Sequence, residues 1–195
     1  MSDTREYIID KAYELFMNSS YEGVSISDIS KAVELTKGAL YHHFRSKEAI
    51  FKAVIDKYLI IRITNSYSDD KTFVQLIEET LNDVTNTIKS IFGDKPNYLP
   101  VSYLALMIDA MRHYPGFFDE HLNLMENEIE KCRMVMENAI KRGEIRQDIN
   151  TKIMAVNYFS LSTGMAINIL QNNTPETVLI LLRKQLTEFY KILKV

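Results

Sequence analysis

Cysteine is almost absent from this chain: Cys132 stands alone among 195 residues. A lone thiol excludes an internal disulfide and a cysteine zinc site, and it fits a reducing compartment. Glycine and proline are scarce too, six and four in all. That is too few for a loop-rich β-sandwich and comfortable for an all-helical chain. No run approaches the roughly 18 uninterrupted apolar residues of a membrane span. The polar start Met1-Ser2-Asp3-Thr4-Arg5-Glu6 lacks the apolar core of a signal peptide. Strand-like alternation, internal repeats and low-complexity tracts are missing as well. What is present is 46% hydrophobic and 25% charged residues, the balance of a globular protein able to bury a core. The net charge of −3 excludes a generally sticky polycation. It does not exclude nucleic acid, because a local basic stripe is enough to hold phosphates. The expectation is a soluble, cytoplasmic, all-α protein.

Apolar residues recur at helical spacing from the start: Ile8, Ala12, Leu15 and Phe16 share one face, after Asp3 and Glu6 in capping-box spacing. Ser25 and Asp28 open a second, short helix carrying Ile26, Ile29 and Val33. Thr36 caps a third, and Ser46 caps a longer fourth with Ile50, Phe51, Val54, Ile55 and Tyr58. Two short helices separated by a tight turn are the pattern of a helix-turn-helix unit. The charge is unevenly placed. Residues 1–35 carry three basic and seven acidic side chains, whereas residues 36–57 carry five basic and two acidic ones. The sign changes where the second short helix begins.

That helix lies in the stretch Thr36 to Phe51, TKGALYHHFRSKEAIF, which holds two of the four histidines side by side. Adjacent helical residues point about 100° apart, so His42 and His43 are poorly placed to grip one metal ion. A helical zinc pair needs positions i and i+4, and position 46 is a serine. A histidine base needs a nucleophile and an orienting carboxylate, and nothing here identifies them. No metal, cofactor or catalytic residue is therefore expected. Phosphate contact remains: Lys37, Tyr41, His42 and Lys47 have different donors but similar reach, on or beside the outward side of the helix. Gly38 costs a helix about 1 kcal/mol relative to alanine. The missing side chain lets backbone approach DNA; simple tolerance near a helix start is the alternative. Leu40 and Phe44 belong to the small core, with His43 packing partly beside them.

The run Ser25 to Phe51, SISDISKAVELTKGALYHHFRSKEAIF, closely resembles the DNA-binding signature of the tetracycline-repressor (TetR-like) family of bacterial regulators. The matching features are Ser-Ile-x-Asp-Ile, Lys-Gly-x-Leu-Tyr, the His-Phe close and Ser-Lys-Glu at the next helix start. The resemblance implies a homodimer whose recognition helices enter successive major grooves of a near-palindromic operator, with repression relieved by a small molecule. On matching positions, Thr36, Lys37, Gly38 and Ala39 would lie nearest the bases. Tyr41, His42 and Lys47 would hold phosphates, with Ser25 and Ser27 at the start of the preceding helix. Ala39 offers only a methyl where bidentate base readers would be Arg, Asn or Gln. Sequence preference then rests on Lys37, thymine-methyl contacts and DNA shape.

The implied organisation is a three-helix helix-turn-helix DNA-binding domain over residues 1–47. A larger helical domain for effector binding and dimerisation would cover residues 48–195. Candidates to line an effector site are Tyr98, Tyr103, Met107, Met111, His113, Phe117, Phe118, His121, Met125 and Phe159, though such stripes usually belong to a core. For dimerisation, small residues Ala155, Ser162 and Gly164 let backbones approach. Leu179, Leu182, Leu186, Phe189 and Leu193 form a 3-4-3-4 seam suited to a partner helix. A seam buried within one subunit is the competing reading. The rival function is a helical small-molecule-binding protein or enzyme that retains a helix-turn-helix shape without specific DNA binding.

Overall fold

The computed structural model describes residues 2–59, 68, 70–92, 100–164 and 174–195. Among them stand nine α-helices and no strand. In chain order they are α1 (Ser2–Asn18), α2 (Ile26–Ala32), α3 (Lys37–His43), α4 (Lys47–Tyr58), α5 (Phe73–Phe92), α6 (Pro100–His113), α7 (Phe117–Lys141), α8 (Thr151–Thr163) and α9 (Pro175–Leu193). No described helix is long and apolar enough to cross a membrane. The all-α class and the helix-turn-helix unit stand as the sequence predicts. The start of α1 at Ser2 puts Asp3 inside the helix and not at its cap. The described stretch that contains α8 closes at Gly164.

The chain divides into two compact units, Met1–Arg62 with Asp94–Glu120, and Ile63–Gly93 with His121–Val195. In the first, α1 packs against α2, α4 and α6. Its core gathers Ile8, Ala12 and Phe16 of α1, Ile29 of α2, Leu40 of α3, Phe51 and Val54 of α4, and Leu106 and Ala110 of α6. On α1, α4 and α6 these residues recur at three- or four-residue steps, whereas α2 and α3 each supply one fully buried side chain, Ile29 and Leu40, and that tertiary burial holds the two short helices in place.

In the second unit, α9 packs against α5 and α8. Phe73, Ile77 and Leu81 meet Met136 and Ala139, Ala155 and Tyr158, and Val178, Leu182 and Leu186. The buried Tyr158 hydroxyl shares a 2.9 Å hydrogen bond with the Thr80 hydroxyl, satisfying the one polar end of that side chain. Glu144 ties three segments together: one carboxylate oxygen accepts the Phe73 amide at 2.9 Å and the Tyr190 hydroxyl at 3.2 Å. The other accepts Arg142, which also reaches the Lys71 carbonyl. Beside it, the Arg146 amide donates to the Leu193 carbonyl at 2.8 Å.

Candidate nucleic-acid interface

Local hydrogen bonding fixes α2, the turn and α3. Ser25 caps α2 through the Asp28 amide at 3.2 Å, and Asp28 returns the bond to the Ser25 amide at 2.9 Å and hydroxyl at 2.6 Å. Those bonds from Ser25 hold the Asp28 carboxyl below the usual carboxylate range. At the other end, the Glu34 amide donates to the Lys31 carbonyl and the Leu35 amide to the Ser30 carbonyl. This paired closure is the Schellman motif, and it puts Glu34 at φ 55°, in the left-handed region usually given to glycine. Thr36 Oγ1 then accepts the Ala39 amide at 3.2 Å and starts α3, and Ser46 does the same for α4 with Ala49.

With Leu40 fully buried, the opposite side of α3 is turned to solvent. Thr36, Lys37, Gly38, Tyr41 and His42 are exposed, while Ala39, His43 and Ser27 are half-buried. Tyr41 leaves 48% of its surface open, a large value for an aromatic residue. His42 and His43 thus differ in surroundings, as their angular separation on a helix requires. Gly38 has a negative φ, and a Cβ built there would meet nothing closer than Thr36 Oγ1 at 3.9 Å. The protein's own packing gives no reason for glycine at this exposed position.

Lys47 sits at the start of α4, half-buried, and its ammonium has a partner. Nζ donates to the Tyr21 carbonyl at 3.1 Å and lies 4.1 Å from the centre of the Tyr21 ring. Tyr21 is held in turn by α6: its amide donates to Asp109 Oδ2 at 2.7 Å, and the His113 ring stacks on it at 4.3 Å. His113 Nε2 also lies 3.7 Å from Glu22. Burial, with the Glu48 carboxylate at its hydroxyl, pushes the Tyr21 phenol up to about 12. Further along, the Tyr114 hydroxyl donates to Asp56 of α4 at 2.8 Å, and Lys52 lies over the Tyr114 ring. The Tyr21–Asp109 bond spans 88 positions, and no spacing in the sequence signals it.

The other predicted residues are distributed as follows. Tyr98 lies outside the described residues. Tyr103 and Met107 are partly buried against the first unit's core, Phe117 is fully buried in it, and Met111 and Phe118 are exposed. Burial pushes the Tyr103 phenol up to about 12. His121, Met125 and Phe159 are half-buried in the second unit, where burial lowers the His121 pKa. Of the dimerisation set, Ala155, Leu182, Leu186 and Leu193 are buried within the protomer, so the α9 seam faces its own core. Ser162, Gly164, Leu179 and Phe189 are half-buried. The apolar side chains that α8 and α9 leave open are instead Ile153, Val156, Ile180 and Ile192. Leu161, Lys184, Gln185, Glu188, Phe189 and Ile192 line an open groove. Among the described residues no three acidic, histidine or cysteine side chains cluster as metal ligands would.

The profile of "Bacterial regulatory proteins, tetR family" matches residues 8–54. The chain is 35% identical over 154 residues to the HTH-type transcriptional repressor DhaR of Mycobacterium sp. strain GP1, covering 77% of this chain and 74% of that protein. It is 26% identical over 171 residues to the HTH-type transcriptional regulator UidR of Escherichia coli K12, covering 85% and 81%. A TetR transcriptional regulator structure from Chloroflexus aurantiacus superposes with a TM-score of 0.71 at 24% identity, over 99% of this chain and 96% of that one.

Proposed function

We propose that this chain, which belongs to the tetR family of bacterial regulatory proteins and is a DNA-binding transcriptional regulator, works as a cytoplasmic homodimeric repressor. Its two α3 helices enter successive major grooves of a near-palindromic operator, and a small molecule releases it. Thr36, Lys37, Gly38 and Ala39 meet the bases; Tyr41 and His42 hold phosphates with Ser25 and Ser27. Lys47 joins them by leaving the Tyr21 carbonyl for a phosphate, an exchange of one hydrogen-bond acceptor for a charged one. Residues 1–47 carry the DNA contacts, and residues 48–195 carry effector binding and dimerisation.

Gly38 supports this reading most directly. A glycine in the first turn of an exposed helix, with room for a methyl group, weakens the helix for no internal gain. Close approach of a duplex to the backbone supplies the gain. Gly38→Ala should therefore raise stability by up to about 1 kcal/mol while weakening operator binding. Thermal unfolding and a gel shift on a duplex selected from random DNA read the two effects separately. Operator binding as tight as wild type in Gly38→Ala would remove the support.

For the dimer, the outward faces of α8 and α9 serve in place of the inward seam. Ile153 and Val156 stand open on α8, and Ile192 lines an open groove with half-buried Leu161 and Phe189 that is edged by Lys184 and Glu188. A two-fold axis presents such a surface to its own copy. The effector lies in the helical remainder of the chain and acts by favouring a state with mis-spaced recognition helices, which lowers DNA affinity by reciprocal linkage.

A further inference from the structure

Arg5, in the first turn of α1, holds its guanidinium carbon 4.8 Å from the centre of the Phe44 ring. Phe44 is the residue on which α3 ends. Arg5 therefore stands at the C-terminal end of α3, although the sequence places the two residues on different helices. About half of its side chain, 49%, remains in solvent. The neighbouring carboxylate is Glu6, with Oε1 3.9 Å from Arg5. The other Glu6 oxygen, however, accepts Lys57 Nζ at 2.9 Å. Lys57 Nζ also donates to Asp10, so Glu6 is shared between Lys57 and the looser 3.9 Å approach of Arg5, whose guanidinium stays half in solvent and within reach of an outside anion. Arg45, directly after Phe44, is exposed and makes no hydrogen bond or ion pair among the described residues.

We propose that Arg5 and Arg45 form a second phosphate-contact site at the C-terminal end of α3, beyond Tyr41 and His42. It rests on the reading of α3 as the recognition helix. A guanidinium presents a planar fork of donors that matches two phosphate oxygens at once. The Phe44 ring holds the Arg5 fork in place before DNA arrives, so less side-chain freedom is lost on binding. The negative end of the α3 dipole favours cations at the same point. The contact positions the protein on the backbone and reads no sequence. It also enlists α1, whose inner face is otherwise committed to the core.

The test compares full-length wild type with Arg5→Ala, Arg5→Lys and Arg45→Ala. The probes are a duplex selected from random DNA by the wild type and a duplex of scrambled sequence, each titrated over a salt series. Each alanine variant should flatten the plot of log affinity against log salt by about 0.9 per protomer, about 1.8 for a dimer. Binding to both duplexes should weaken by the same factor, and Arg5→Lys should keep the slope. If Arg5 merely covers Phe44, Arg5→Ala lowers the unfolding temperature and leaves the slope unchanged, which overturns its part in the site. Among the described residues Arg45 makes no hydrogen bond or ion pair, so a wild-type slope in a folded Arg45→Ala overturns the rest. Wild type that selects no duplex from random DNA would defeat the recognition-helix reading itself, and this site with it.

Discussion

Two residues that flank the start of α3 run against local preference in opposite ways. Gly38 is a glycine where the helix would prefer a side chain, and Glu34 is a side chain where the backbone would prefer glycine. The chain supplies its own comparison for the second. The end of α7 closes with the same pair of hydrogen bonds, from Gly143 to Ile140 and from Glu144 to Ala139, and there glycine occupies the positive-φ position at 69°. A non-glycine residue in that region costs about 1–2 kcal/mol, while glycine makes the unfolded chain freer by up to about 1 kcal/mol. Glu34→Gly should therefore stabilise the protein by about 0.5 kcal/mol, measured by urea unfolding. A clear loss of stability would mean that the exposed Glu34 side chain does something at this turn that its hydrogen bonds do not reveal. Gly38 was legible in the sequence as a glycine within a helix, whereas the Glu34 conformation was not, because Val33-Glu34-Leu35 contains no turn residue to announce it.

At the level of elements, the caps were the most legible part of the molecule. Ser25, Thr36 and Ser46 each precede a helix and accept the amide three residues on, as their spacing foretells. The α2 cap carries a pH consequence. Ser25 lowers the Asp28 pKa in the folded state, so the cap adds stability above the ordinary carboxylate range and loses it as pH falls through the lowered value. Carbon-13 NMR of the Asp28 carboxyl should show titration below that range in wild type and a return to it in Ser25→Ala. Equal titration in both proteins would refute the assignment of the shift to Ser25. The seam of α9 was legible as a buried stripe but not as to what buries it. Periodicity states that Leu182 and Leu186 face other apolar groups; only the partners Phe73 and Met136 show that those groups belong to the same protomer. The basic end of α3 was half legible. Lys37, Tyr41 and His42 followed from their helix, whereas Arg5 reaches Phe44 across the fold, and Lys47 bonds a carbonyl 26 positions away.

For the molecule as a whole, the division into two cores separates residues that hold a unit together from residues free to meet another chain. Ile153 and Ile192 expose 51% and 71% of their surfaces, and Leu182 exposes none. A double change, Ile153→Asp with Ile192→Asp, should yield a folded monomer by analytical ultracentrifugation and abolish cooperative operator binding, since one α3 then acts alone. A dimer of undiminished strength would place the interface elsewhere. Leu182→Asp should instead unfold the second unit, because it buries an unpaired charge. The clasp at Glu144 bears on how that unit comes into being on the ribosome. Its carboxylate holds the first amide of α5, and Tyr190 and Leu193 hold the clasp. A nascent chain that has delivered α5 but not Val178 to Leu193 lacks both the α9 side of the core and the latch. The first unit, complete by Glu120, can fold while the second is still being made.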